Sequence, residues 1–580
     1  MTVSNGIARE STPVTSLQAN NDSSNGTAAI PQSNKLHGRA FYESIGSPKF
    51  VLAPMVDQSE FAWRMLSRSF MSPETSKDLL AYTPMLHARM FTETPKFRDH
   101  HFQPMRSSLL LPVPAPPPAS ELFLDGNPSI DRPLFVQFCA NNPDELLEAA
   151  TYVAPFCDAV DLNLGCPQGI ARKGKYGAFL QEDQDLIFSL INKLHQKLSV
   201  PVTAKIRILD TKEKTLAYAR KVLSAGASIL TVHGRQRDQK GHKTGLADWG
   251  MIRFLRDNLP KETVLFANGN ILNKADIEKC LAVTGADGVM SAEGNLYDPA
   301  IFSDPPPLGE EGREYWRGRD GKGGWRMDAA LRRYMDIIYK YVLEVPVPER
   351  NPLYLPSDLE EAVKTPTSEP VEQDGPPKKR QKTNGPVEKK ERATNPNLVA
   401  MQAHLFHLLR VLVSKHHHIR DALAKCRAGD VAAFENVLQM VEKAVRLGLQ
   451  EYEATNGRSY TQELENDARL AKLKEASVTA AEDGDKDGEI DEEYVKSLEV
   501  IKACKRPWWI VQPYVRPLAK EALMKGSLTL SKKEKAKLRE EEIQAKKEDA
   551  ALAGSTETQV VGTEGSTETV EVPKDGLICG

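Results

Sequence analysis

The sequence predicts a (β/α)₈ barrel of the TIM type, an α/β fold, followed by a small all-α domain and by disordered tails. Three observations predict it. Short apolar runs alternate with helical patterns from residue 50 to about residue 290. The alternating region is roughly 250 residues long, the usual size of such a barrel. Beyond it the apolar spacing is helical only, and it is interrupted by charge-rich stretches that lack the apolar content to bury a core. The expected divisions are a disordered segment at 1–40, a barrel at 41–305 and a linker at 306–324. A helical domain at 325–455 with a disordered insert at 346–397 follows, then a charged low-complexity tail at 456–580.

The barrel strands are expected at 51–55, 79–86, 134–138, 159–164, 200–208, 229–233, 264–267 and 288–290. Helical spacing predicts helices at 143–153, 184–197, 215–225, 249–258 and 274–284. The Pro-rich run 111–119 reads as a loop insertion, and the Gly/Pro/charge segment 305–324 as the stretch that closes the barrel. Residues 325–343 carry Leu331, Tyr334, Ile337, Ile338 and Tyr341 at helical spacing. Further helices are expected at 398–414, 419–427 and 431–449. The tail is broken by Lys505-Arg506-Pro507-Trp508-Trp509-Ile510 and Pro513-Tyr514-Val515-Arg516-Pro517.

Composition narrows the function classes. The 580 residues are 40% hydrophobic and 27% charged with a net charge of −3, so any signal for a polyanionic partner is local. The seven cysteines, Cys139, Cys157, Cys166, Cys280, Cys426, Cys504 and Cys579, form no C-x-x-C pair and are odd in number. That argues against a disulfide framework, an iron–sulfur cluster and a zinc site, and for a soluble protein of a reducing compartment. The first forty residues are rich in Ser, Thr, Asn and Gly and lack the apolar core of a signal peptide or membrane span. No metal site is expected: the calcium-loop-like run from Asp483 has Tyr494 where the ion needs a bidentate Glu. His416, His417 and His418 are consecutive and do not share a helix face.

Chemistry gathers at the carboxyl ends of the expected strands, where parallel barrels keep their active sites. Strand one ends in Pro54, Met55 and Val56, strand three in Gln137, and strand four in Asn163-Leu164-Gly165-Cys166-Pro167. Strand five supplies Lys205 and Arg207, strand six His233, strand seven Asn268, Gly269 and Asn270, and strand eight Ala292 and Glu293. A lysine inside a buried strand needs a partner, and a structural ion pair with a neighbouring strand is one explanation. It leaves the other strand ends unexplained. Gly-bearing turns after the last two strands suit a phosphate held by backbone N–H groups. With a lysine and a histidine on the rim, a glutamine opposite and a thiol nearby, the set suits flavin mononucleotide (FMN) with an acid at its face.

The series Ala53-Pro54-Met55-Val56, Val136-Gln137-Phe138, Asn163-Leu164-Gly165-Cys166-Pro167, Lys205-Ile206-Arg207, Val232-His233-Gly234-Arg235 and Asn268-Gly269-Asn270 resembles the tRNA-dihydrouridine synthase family over about residues 47–303. Asp57-Gln58-Ser59-Glu60, Tyr82-Thr83-Pro84-Met85, the run 241–249 and Ser291-Ala292-Glu293-Gly294-Asn295-Leu296 look most like its eukaryotic branch acting on D-loop uridines 16 and 17. Ala292-Glu293 stands where many members carry Gly-Arg, which leaves the flavin phosphate to backbone donors. The resemblance implies reduction of the flavin by NADPH or NADH, hydride transfer to C6 of uracil, and protonation of C5 by Cys166 as general acid. It implies His87, Arg89 and Arg207 on the substrate side, and a uridine swung out of the RNA stack.

Two local basic segments complete the expectation. Residues 401–427 hold Arg410, Lys415, Arg420, Lys425 and Arg427 against Asp421, and Arg410, Lys415 and Arg420 are candidate contacts to the tRNA backbone. Pro377-Lys378-Lys379-Arg380-Gln381-Lys382 resembles a nuclear-import patch, so the location expected is cytoplasm, nucleus or both. The chain is expected to be monomeric. Two other readings stay open: a flavin-dependent reductase or oxidase of free pyrimidines of the dihydroorotate type, and a non-catalytic RNA-binding barrel.

Overall fold

The run Ala159-Val160-Asp161-Leu162-Asn163-Leu164 alternates between two faces, and that alternation builds the barrel wall. In the computed structural model, which describes residues 35–113, 116–240, 244–358, 395–466 and 504–516 with 469 and 500, Val160, Leu162 and Leu164 join the apolar layer beneath the surrounding helices. Ala159 joins a separate core inside the barrel, and Asp161 and Asn163 share its face.

The parallel strands are β1 (Phe50–Leu52), β2 (Leu79–Tyr82), β3 (Leu86–His87), β4 (Leu134–Cys139), β5 (Ala159–Leu164), β6 (Val202–Arg207), β7 (Ile229–His233), β8 (Val264–Asn268) and β9 (Gly288–Ser291). Neighbours run β2, β1, β9, β8, β7, β6, β5, β4, and β2 also pairs with β4, so the sheet closes. β3 continues β2 against the upper end of β4. The sequence suggests one strand over 79–86. Pro84 has no N–H for a ladder, and the run breaks at Thr83-Pro84-Met85. The helix Gly38–Ser44 plugs the barrel floor: Phe41 stacks on Phe135 at 5.9 Å between centroids and Tyr42 meets Phe266 at 5.8 Å.

Several helices of the outer ring start at a side chain that accepts a backbone N–H. Asn142, Asp183, Thr211, Asp248 and Asn273 each do so. Thr211 thereby starts its helix at Lys212, ahead of the expected residue 215.

The helical region consists of Met327–Ile337, which continues as a π turn Ile338–Val342, then Pro396–Leu408, Arg410–Lys415, His417–Lys425 and Val431–Ala454. The single helix expected at 398–414 is broken at Leu409. It is welded to the barrel. Asn397 Oδ1 accepts the Ala62 amide at 2.8 Å, and His404 stacks on Trp63 at 4.0 Å while its Nε2 bonds Glu60 at 2.9 Å.

Three segments are more ordered than their composition suggests. Residues 306–324, expected as linker, contribute to an antiparallel pair, Tyr315–Arg317 with Gly323–Trp325. At the start of the expected insert, Leu353 is buried, Arg350 bonds Glu435 and Asp336, and Asp358 pairs with Arg313. In the expected tail, Trp508, Trp509, Ile510 and Val511 are buried. There Met327 N donates to Trp509 O at 2.9 Å, and a Cβ on Gly448 would lie 2.5 Å from Trp508. The basic patch 377–382, the run from Asp483 to Tyr494 and the segment 1–34 lie outside the described residues. Among the described residues no helix is long and apolar enough to cross a membrane. No cluster of His, Cys, Asp and Glu there could hold a metal.

Candidate active site

Cys166 sits on a turn whose peptide groups are nearly all engaged. Asn163 Oδ1 accepts the amide hydrogens of Gly165 at 3.1 Å and Cys166 at 2.9 Å. Arg207 Nε donates to the Gly165 carbonyl at 2.7 Å, Ala178 N to the Cys166 carbonyl at 3.1 Å, and Lys240 Nζ to the Pro167 carbonyl at 2.7 Å. Pro167 has no N–H to satisfy. Gly177, at φ +65°, passes so close that a Cβ there would lie 2.8 Å from the Cys166 carbonyl oxygen. The side chain lies against Cys139, Ala171, Tyr176, Met85 and Phe179. It is partly exposed, so the fold immobilises the thiol without sealing it in.

Beneath the turn runs a chain of side-chain hydrogen bonds with a fixed direction. Thr203 Oγ1 donates to Asp161 Oδ1 at 2.6 Å and Gln137 Nε2 to Asp161 Oδ2 at 2.8 Å. Asn163 Nδ2 then donates to Gln137 Oε1 at 2.8 Å. The carboxylate can only accept when ionised, so Gln137 must present its nitrogen to it and its oxygen to Asn163. Asn163 is left with its own oxygen facing the turn. Burial pushes the Asp161 carboxyl up to about 6, against the pull of its Thr203 and Gln137 bonds. Gln137 is fully buried and committed downward. Its amide therefore serves the Cys166 turn, a role its position at a strand end does not reveal.

Lys205 lies beside Asn163 in register, and its Nζ bonds Asn268 Oδ1 at 2.9 Å. Asn268 in turn donates to Met290 O at 3.0 Å. The partner is an amide, not the carboxylate of an ion pair with a neighbouring strand. Burial brings the Lys205 amine down to about 7, and Arg207 adds to the effect. His233, in register with Arg207 and Asn268, is driven well below the ordinary imidazole value by burial first, then by Lys205, Arg207 and Arg235. Its Nε2 lies 3.2 Å from Arg235 Nη1. A guanidinium cannot accept, so Nε2 is the bare nitrogen and Nδ1 carries the hydrogen.

The remaining rim residues surround this centre unevenly. Met55 is half-buried and its N–H reaches Ser59 Oγ at 3.0 Å; Pro54 precedes it and Val56 stands 57% exposed. Gly269, at φ +113°, accepts the Trp249 Nε1 hydrogen on its carbonyl oxygen at 2.9 Å, and a Cβ there would lie 2.6 Å from that of Ala247. Asn270 bonds Arg235 through Oδ1. Ala292 and Glu293 open the short Glu293–Tyr297 helix, and Glu293 Oε1 accepts from Arg516 Nε at 2.6 Å. His87 crosses the Tyr176 ring edge-on at 5.3 Å and stands opposite Cys139 in register; burial holds its imidazole below the usual value.

Other candidates are drawn elsewhere. Arg207 holds the thiol turn from behind, through Gly165 O and Gln236 O. Arg89 is exposed and bonds Glu93 one turn along its own helix. Arg410 lies 3.8 Å over the Tyr514 ring, and Lys415 bonds Glu463 at 3.0 Å beside Trp508. Arg420 is half exposed with only a 3.4 Å contact to Asp421. Asp161, Thr203 and Tyr176 join the site beyond the residues expected there, and Arg235, from the Val232-His233-Gly234-Arg235 run, joins it through His233 and Asn270. An acid inside the apolar-run strand 159–164 was the visible signal for Asp161, and nothing in the sequence marks Tyr176.

Residues 51–314 match the family model described as Dihydrouridine synthase (Dus). A Schizosaccharomyces pombe protein, "tRNA-dihydrouridine(16/17) synthase [NAD(P)(+)]", is 41% identical over 487 residues, 84% of this chain and 92% of the relative. A Saccharomyces cerevisiae protein of the same description is 53% identical over 304 residues, 52% of this chain and 63% of the relative. A human protein described as "tRNA-dihydrouridine(20a/20b) synthase [NAD(P)+]-like" is 32% identical over 256 residues, 44% of this chain and 70% of the relative.

Proposed function

Because this chain belongs to the dihydrouridine synthase family, we propose that it reduces uridines 16 and 17 of tRNA to dihydrouridine, with bound FMN and with NADPH or NADH as reductant. The observation that carries the reading is the thiol of Cys166, held on a fixed turn at the carboxyl rim of a barrel whose next strand presents Lys205.

The residues suit an anionic, phosphorylated ring. When protonated, Lys205 has three donors and, among the described residues, one amide oxygen as partner, and an anionic ring would favour that protonated form. The amide hydrogens of Gly269 and Asn270 meet no acceptor among the described residues. Lys205, His233 and Asn268 would hold the ring, with Met55 at the opposite edge of the mouth and the turns at Gly269–Asn270 and Ala292–Glu293 holding the phosphate. FMN, when bound, would supply hydride chemistry at C6 of uracil, with NADPH or NADH as its source. Cys166 gives its proton to C5 from the other face of the base and regains one from solvent, so one hydride and one proton saturate the C5=C6 bond. His87 and Tyr176 wall the thiol side of the pocket. With His233 neutral, Arg207 and Arg235 are the permanent cations of the inner rim, and Lys205 joins them when it is protonated. The uridine enters only when swung out of its stack, and exposed cations of the helical region such as Arg420 grip the phosphates.

The test is reconstitution followed by mapping in cells. Purified protein should take up FMN and turn yellow, and tRNA from cells lacking the protein should lose dihydrouridine at positions 16 and 17. A protein that cannot be loaded with FMN, or an unchanged D-loop, overturns the reading.

A further inference from the structure

The segment 504–516 lies over 200 residues beyond the barrel strands, yet it touches both of the loops that end them. At one end Asn273 Nδ2, in the loop after β8, donates to Cys504 Sγ at 3.5 Å. At the other end Arg516 Nε donates to Glu293 Oε1, in the loop after β9, at 2.6 Å. Between these points the segment is clamped: Val511 N donates to Trp325 O at 2.8 Å, and Trp508 and Trp509 are buried against the Val431–Ala454 helix. Tyr514 adds a contact to Tyr297 at 5.2 Å and carries Arg410 over its ring. The segment is a strap across the two turns.

The charges along this edge have a consistent arrangement. Glu293 is an acid in the turn after β9, which lies against the loop after β8, whose Gly269 and Asn270 amides meet no acceptor among the described residues. Arg235, bonded to Asn270, approaches from β7; burial brings its pKa down, against the pull of Glu293 and with a smaller push from Arg516. A carboxylate so placed repels a phosphate dianion unless something offsets it. Arg516 is the cation bonded directly to the Glu293 carboxylate, and its donors beyond Nε have no other partner among the described residues.

We propose that the 504–516 strap is part of the FMN phosphate subsite, with Arg516 cancelling the charge of Glu293 and adding a donor for the phosphate. The proposal rests on the flavin reading above. It makes cofactor retention depend on a segment outside the barrel, and it explains how an acid can stand where the phosphate is bound.

The experiment titrates flavin-stripped full-length protein with FMN and, separately, with riboflavin, which has the same ring and no phosphate, following flavin fluorescence. Arg516→Ala should weaken FMN binding about fivefold or more, the scale of a partly exposed charge contact, and leave riboflavin binding unchanged. Adding Glu293→Gln to Arg516→Ala should restore most of the lost FMN affinity. Equal FMN affinity of Arg516→Ala and the unaltered chain, equal losses for FMN and riboflavin, or no recovery in the double variant would each overturn the proposal. Failure of the unaltered chain to bind FMN would instead overturn the flavin reading itself.

Discussion

Asn163 Oδ1 accepts the backbone N–H of Cys166 at 2.9 Å, so the residue that begins the thiol turn also holds it closed. Its orientation is imposed from below by Gln137 and Asp161. Asn163→Ala leaves two turn amides without their acceptor, at a cost of about 1–3 kcal/mol for buried donors. Chemical denaturation should read that loss. Turnover on tRNA should fall further than FMN binding does, and equal falls in both would detach the turn from the chemistry.

Cys166→Ala removes the acid and leaves the bonds of the turn in place. FMN binding and NADPH oxidation by oxygen should stay largely intact. Uridine reduction should drop about 10²–10⁴-fold, the usual contribution of a positioned acid. Stopped-flow traces of flavin reduction alongside dihydrouridine yield separate the two half-reactions.

Lys205 sets a pH dependence of stability in the flavin-free protein. Its folded pKa of about 7 lies below the unfolded value of 10.5, so between the two the unfolded chain holds a proton that the folded chain lacks. Wild-type stability gains from this group as pH rises through that window, and the burial penalty is complete below it. Lys205→Met should therefore be more stable than wild type near pH 6. Its advantage should shrink as pH rises above 7, by at most about 1.4 kcal/mol per pH unit. An advantage that grows with pH would contradict the assignment.

Two of the basic residues expected to contact tRNA, Arg420 and Arg410, should behave differently from each other. Arg420 has little to lose in the free protein, and Arg420→Glu should reduce the log–log salt slope of tRNA binding by about 0.7–0.9. Arg410 is stacked on Tyr514, so Arg410→Glu should loosen the strap and lower thermal stability. Filter binding across a salt series, paired with melting curves, distinguishes these behaviours.

The barrel was legible because strands such as 159–164 and 229–233 are short apolar runs with chemical residues at one end, and their bounds are those of β5 and β7. The rim residues Lys205, His233 and Asn268 were legible for the same reason, and they do converge. The use of Gln137 was not, because a strand position does not say whether an amide points up to the rim or down to Asp161. In the free chain Arg89 pairs with Glu93 one turn along its own helix, as its spacing allows, whereas the pairing of Lys415 with Glu463 is a long-range contact that spacing does not show. The strap was hidden by the charged tail around it: Trp508 and Trp509 marked a local apolar patch, but its docking onto Gly448 is a long-range contact.

The most direct measurement incubates the purified FMN-loaded protein with NADPH and an unmodified tRNA transcript, then locates two-hydrogen mass gains by nuclease digestion and mass spectrometry. The account predicts gains at uridines 16 and 17 with the unaltered protein, none with Cys166→Ala carrying the same flavin, and none on free uridine. A transcript left unreduced by flavin-loaded, NADPH-oxidising protein, or full reduction by Cys166→Ala, would contradict it.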